Sequence, residues 1–143
     1  MSLEHLFYIV NAAVVPFWAA LVLAPRWSGT AFLLKTHLGP CALAVVYVCM
    51  AIAFIPGSEG SMGSLGSLTQ AFSDEGVLLL GWVHYLSFDL LVGSWILRDA
   101  QRIGMRHLFV APCLILTMML GPSGWLAYVL AKRVKTRGDA ETA

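Results

Sequence analysis

Asp89 and His84 are the side chains of this sequence whose type and setting point most directly to proton chemistry. Both lie inside the run VLLLGWVHYLSFDLLVGSWIL, residues 77–97, which is apolar enough to enter a bilayer. Asp89 falls near the middle of that run. A carboxyl group at the centre of a membrane helix costs about 2.5–3.5 kcal/mol on insertion scales, and such residues mark sites of function by default. An acid held there can give or take a proton beside a greasy substrate. The plainer reading is that Asp89 only joins helices, by bonding Asn11 or a backbone carbonyl.

At about 100° per residue, Trp82, Tyr85, Asp89 and Gly93 share one stripe of a helix, and His84, Phe88, Leu91 and Trp95 share another. His84 and Asp89 are then about 140° apart around the helix and about 7.5 Å apart along it, so they do not face each other. Both line protein interior only if this helix has neighbours on two sides, which makes it the central helix of a small bundle. Tyr85, one turn before Asp89, can reach the carboxylate through its phenol. Trp82 and Trp95 can wall a pocket for a lipidic ligand, with core packing as the plain alternative. His5, His37 and His107 sit at segment ends. Alternating topology brings His37 towards His107 and His5 towards His84, so a four-histidine metal cluster is not expected. No recognised ligand pair shares one face. Arg98 and Asp99 close the run and are expected to snorkel or pair at the headgroups.

The elements that must hold these residues follow from composition. The chain has 143 residues, is 59% hydrophobic and 12% charged, and has a mean hydropathy of +0.78. A soluble domain carries about 25% charge, so the chain reads as an integral membrane protein of one domain. A net charge of +1 offers no basic surface for nucleic acid. Cys41, Cys49 and Cys113 all lie in apolar stretches without a CxxC spacing and read as small hydrophobes. No cleavable signal stands out, so the first apolar segment is expected to be retained.

Apolar segments cover residues 6–24, 38–55, 77–97 and 108–131. Each approaches the ~20 residues that cross a bilayer as a helix. The expected fold is all-α, an integral membrane bundle of four transmembrane helices in a single domain over residues 1–131. A polar tail over residues 132–143 is expected to lose order at its end. The fourth segment is interrupted by Gly121-Pro122-Ser123-Gly124. It is either one kinked span, or a span ending near Leu120 followed by an interfacial helix from Trp125. Residues 56–76 read as a flexible Gly/Ser loop, with Leu65, Leu68 and Phe72 able to form a short surface helix and Ser73 or Asp74 to cap the third span. Four crossings put Lys132, Arg133, Lys135 and Arg137 opposite Arg26, Lys35, Arg98, Arg102 and Arg106. That is nearly a tie under the positive-inside rule, and no orientation follows from it.

The run Phe72-Ser73-Asp74, then Gly81-Trp82-Val83-His84-Tyr85-Leu86-Ser87-Phe88-Asp89-Leu90-Leu91-Val92-Gly93, resembles the abscisic-acid-deficient-4-like family of small membrane proteins. Ala111-Pro112-Cys113-Leu114, Gly121-Pro122-Ser123-Gly124, Asn11 and Pro16-Phe17 extend the likeness over residues 5–131. The resemblance implies a four-helix membrane protein. The plant member is linked to neoxanthin formation from violaxanthin, which opens an epoxide and loses a proton to give an allene. Such a step needs an acid near the epoxide oxygen and a base near the departing proton. The resemblance carries those roles to Asp89 and His84, with Asn11, Trp82, Tyr85, Phe88 and Trp95 as candidate substrate contacts. The family pattern commonly has a basic residue where Ser94 stands here. The compact opening of the chain, without a plastid transit segment in view, sets the expectation of a bacterial inner membrane.

These readings converge on a membrane isomerase acting on a carotenoid or related isoprenoid, with no cofactor and no metal implied. Its partners would be the lipophilic substrate and membrane lipid, not nucleic acid, and Gly93 and Ser94 permit a homo-oligomer. The rivals are a non-catalytic carotenoid or lipid binder, a metal-dependent membrane enzyme using histidines, and a small proton or ion carrier.

Overall fold

Three apolar segments become helices long and apolar enough to cross a membrane, and the longest lies at the centre of the others. A computed structural model describes residues 2–57 and 59–141. In chain order the helices are α1 (Leu3–Leu23), α2 (Ser28–Thr36), α3 (Leu38–Phe54), α4 (Leu65–Ala71), α5 (Glu75–Arg102), α6 (His107–Leu120) and α7 (Pro122–Glu141). No strand occurs among the described residues. The spans that meet membrane length are α1, α3 with its 3-10 extension to Gly57, and α5.

Local chemistry sets several of the ends. Ser2 caps α1 by accepting from the His5 N–H. Asp74 caps α5 by accepting from the Gly76 and Val77 N–H groups at 2.8 and 3.0 Å, the expected cap. The loop before it does form the short surface helix α4, with Ser64 as its cap. His37 adopts a left-handed backbone (φ 53°) that separates α2 from α3.

Helix α5 is the central element, touched by α1, α3, α6 and α7. Val83, Leu90, Ile96 and Leu97 of α5 are fully buried in the shared core, with Leu114 from α6. α1 runs parallel to α5. Trp82 Nε1 donates to Asn11 Oδ1 at 3.2 Å near one end, and Gln101 Nε2 donates to the Pro25 carbonyl at 2.8 Å near the other. α3 runs antiparallel, with Ser87 Oγ donating to the Pro40 carbonyl at 3.3 Å and Tyr47 packed on His84.

The segment expected as a fourth span is a helical hairpin. α6 has 14 residues, about 21 Å, against about 42 Å for the 28 residues of α5. It therefore descends only half the length of α5. At its end Gly121 takes φ +45° and ψ −102°, and its N–H bonds the Thr117 carbonyl at 2.9 Å. The chain then turns back, and Pro122 opens α7 at a position where its missing N–H is no loss. Gly124 lets the two helices close: a Cβ there would collide with backbone atoms of Thr117 and Cys113.

The return is anchored at Asp99, whose side chain is buried within the bundle and paired there. Asp99 Oδ2 accepts from Tyr128 Oη at 2.6 Å and Lys132 Nζ at 2.5 Å, and Oδ1 accepts from Arg102 Nη2 at 3.0 Å. Tyr128 is itself fully buried. α7 continues without a break from residue 131 into residue 132 and on to Glu141, so Lys132 belongs to a packed helix rather than to a loose tail. A hydropathy window reads residues 108–131 as continuous because both arms of the hairpin are apolar. The Gly-Pro break is what reverses them.

A hydrogen bond to a charged partner contributes about 1.5–3 kcal/mol. Tyr128→Phe is expected to lower stability by that amount, and the conservative change Tyr8→Phe at the exposed end of α1 by far less. Equilibrium unfolding of both variants in mixed micelles measures the difference.

Candidate functional site

Asp89 projects from α5 into a groove of about 680 Å³ between α1, α5 and α6. Its side chain is buried, and Oδ2 is shielded from water with no hydrogen-bond partner. The walls are apolar, chiefly Val14, Trp18, Ile115, Met118 and Met119. Exposed Val15 and Met119 stand at its edge, so the groove opens sideways from the bundle. An unpartnered carboxyl oxygen in such a setting is costly, because neither water nor protein compensates for its lost solvation.

The hairpin tip completes this setting. Gly121 packs directly on the carboxyl: a Cβ built there would lie 2.9 Å from Asp89 Oδ1. Glycine is thus required twice, by its positive φ and by the closeness of the acid. On the same stripe of α5, the Tyr85 phenol lies beside the carboxyl without meeting hydrogen-bond geometry to Oδ2. The Tyr85 ring stacks on Trp82 at 5.3 Å between centroids. Asn11 bonds Trp82 and, through Nδ2, the Phe7 carbonyl at 2.7 Å. It fixes the indole at the groove edge rather than pairing with Asp89.

The structure therefore gathers Asp89, Tyr85, Trp82 and Asn11 in one groove and leaves the other candidates outside it. His84 is exposed on the α3 side of α5, its ring against Phe88 at 4.6 Å and Tyr47 at 5.5 Å. Phe88 is exposed beside it. Trp95 lines a separate hollow of about 350 Å³ with His37, Arg98 and Trp125, and its edge meets Tyr128. The angular offset between His84 and Asp89 persists because α5 is one uninterrupted helix. The idea that these two residues flank a common reacting group is not supported by this placement.

The remaining histidines disperse. His37 Nε2 meets Arg98 Nη1 at 2.9 Å, His107 Nε2 lies 2.8 Å from the Val22 carbonyl, and His5 Nδ1 lies 2.7 Å from Ser2 Oγ. Neither the approach of His37 to His107 nor that of His5 to His84 shows in these contacts. Among the described residues no group of His, Cys, Asp or Glu is placed to hold a metal ion. Residues that the sequence reading left out of the site are Trp18, Met118 and Gly121. The signal for Gly121 was present in the Gly-Pro pair, but only the reversal of the chain brings that pair to Asp89.

With these contacts, the groove can hold an apolar molecule by its aliphatic and aromatic walls and offer it one carboxyl group and one phenol. A protonated Asp89 can donate to an oxygen of the guest, and an ionised one can accept a proton from carbon.

A family model described as ABA DEFICIENT 4-like matches residues 5–128. The chain is also similar to "Protein ABA DEFICIENT 4, chloroplastic" from Arabidopsis thaliana, at 24% identity over 141 residues. That alignment covers 92% of this chain and 62% of the relative, so the chain spans about three-fifths of the length of the curated protein it matches. No solved structure matches. The relative is chloroplastic by name, and nothing in these comparisons supports a bacterial inner membrane.

Gly121→Ala is expected to destabilise the fold, since a positive φ in a sparsely populated region costs a residue with a Cβ about 1–3 kcal/mol and the methyl also presses on Asp89. Removing the acid relieves the second part. The double variant Gly121→Ala/Asp89→Ala should therefore depart from additivity by about 0.5–3 kcal/mol, read from unfolding midpoints of the four proteins. Strict additivity would mean that the tip does not rest on the carboxyl.

Proposed function

Because this chain belongs to the ABA DEFICIENT 4-like family, we propose that it is a membrane isomerase that takes a carotenoid or related isoprenoid into the α1–α5–α6 groove and moves a proton at Asp89. The observation that carries the reading is the buried, unpartnered Asp89 oxygen in an apolar, laterally open groove. A hydrocarbon guest can enter such a groove from lipid without crossing water, and its polyene or aliphatic portion gains contact with Trp18, Trp82 and Met118.

For an epoxide-bearing end group the step balances internally. The Asp89 carboxylic acid gives its proton to the epoxide oxygen as the C–O bond breaks, leaving a hydroxyl and an electron-poor polyene. A proton then leaves the adjacent chain carbon, the electron pair of that C–H bond forms the second double bond of an allene, and the carboxylate recovers a proton. Nothing is oxidised or reduced. Tyr85, beside the acid, is placed to hold the oxygen or pass the proton. His84, on the other face, has no part in this scheme.

A second reading, a carotenoid binder without turnover, rests on a specific observation: Tyr85 is the one other titratable side chain lining the groove with Asp89. The rival metal enzyme built on His84, Asp89 and another histidine has no gathered ligand set among the described residues.

Membranes containing the protein, supplied with an epoxycarotenoid, are expected to accumulate its allenic isomer. Asp89→Asn should reduce that rate by about 10²–10⁴-fold while the protein still accumulates and binds pigment, and His84→Ala should leave the rate near that of the parent. Pigment that is held but never converted by the parent protein supports the binder. Unchanged turnover in Asp89→Asn removes the acid from the mechanism.

A further inference from the structure

The hairpin changes where the charges lie. α1 runs parallel to α5, and its far end is followed by Arg26 and then Lys35 on α2. Arg98 and Arg102 occupy the same end of α5, and Arg106 the turn after it. A fourth crossing would have carried the basic residues of α7 to the opposite side. Instead α7 returns, and Lys132 is tied to Asp99 at that same end. Arg133, Lys135 and Arg137 follow it on the helix. All 9 Lys and Arg residues of the chain therefore stand at one end of the bundle. Among the described residues the opposite end carries Glu4, Glu59, Asp74 and Glu75 and no Lys or Arg. The basic end also holds Asp99. Acidic residues weigh little in orienting a membrane protein, whereas Lys and Arg near helix ends stay on the non-translocated side.

We infer that the basic end of the bundle seats on the anionic headgroups of the non-translocated leaflet, so that the chain crosses the membrane three times and the α6–α7 hairpin enters and leaves by that leaflet. A hairpin of this kind is tolerated at depth where its non-helical turn is covered by protein. Here the turn at Gly121 rests on Asp89, and Thr117 and Gly121 use each other's backbone groups. The same end offers a seat for one anionic phospholipid. A groove of about 550 Å³ runs between the start of α6 and α7, with Met105, Phe109 and Val134 for an acyl chain and Arg106 and Lys135 at its rim for a phosphate. Basic pockets between membrane helices bind anionic headgroups in this way.

The crossing number decides the first part. The full chain is expressed in a bacterial host with an epitope at the N-terminus and a fluorescent reporter at the C-terminus. The C-terminal reporter is expected to fluoresce in the cytoplasm, and the N-terminal epitope to be reached only from the outer side of the membrane. Both termini on one side, or the reverse orientation, overturns the inference whether or not the protein turns over a carotenoid. Native mass spectrometry of the full chain in mixed micelles reads the lipid. Phosphatidylglycerol should be retained in preference to phosphatidylethanolamine, and Arg106→Gln/Lys135→Gln should abolish that preference. Equal retention of the two lipids, or an unaltered preference in the double variant, overturns the lipid seat.

Discussion

The contact of Tyr128 and Lys132 with Asp99 is the interaction on which the rest of the architecture depends. A helix of α6's length ending in Gly-Pro can be followed by many courses of chain. One course lets a buried acid near the end of α5 meet its donors from α7, and that course is antiparallel. Leaving Asp99 without them would bury an uncompensated charge, a loss of several kcal/mol. Once α7 is tied there, its first turn and the last turn of α6 must meet at half the depth of α5. That is the level of Asp89.

Two acids on one helix thus meet opposite fates. They are ten positions apart, about 15 Å along the axis. Asp99 has three donors around its two oxygens, and its environment is that of a structural ion pair with an added hydroxyl. Asp89 has glycine backbone against one oxygen and no partner on the other. The fold places its cations on the first and none on the second. A carboxyl that no cation pairs with is the kind that can exchange a proton with a guest, because no fixed opposite charge holds its ionised form.

Much of this was legible in the sequence. The periodicity of residues 77–97 separates the Trp82–Tyr85–Asp89 stripe from the His84–Phe88–Trp95 stripe, and the structure puts those stripes against different neighbours. The central place of α5, the Asp74 cap and the short helix before it follow from pattern and capping chemistry. What hydropathy could not reveal was direction. Two antiparallel apolar helices and one long helix present the same composition to a sliding window. The distinguishing marks were small: a Gly-Pro pair, and a Tyr and a Lys four residues apart on one face of α7, which needed an acid opposite them. Asp99, read as a headgroup residue from its position at the end of a hydrophobic run, was that acid.

The groove follows from the same reversal. α6 covers α5 and α1 only as far as Gly121, and beyond the tip nothing from the hairpin extends across Trp82, Asn11 and Val15. A full fourth crossing would have continued over them and sealed Asp89 inside a packed core, where a lone carboxyl has no advantage over leucine. Stopping halfway leaves an acid that is dry on the bundle side and adjoins an apolar opening on the other. The half-length of α6 and the unpaired state of Asp89 are therefore a single feature. Lengthening the hairpin and completing the carboxyl's hydrogen bonds would each remove what makes the groove able to handle both grease and protons.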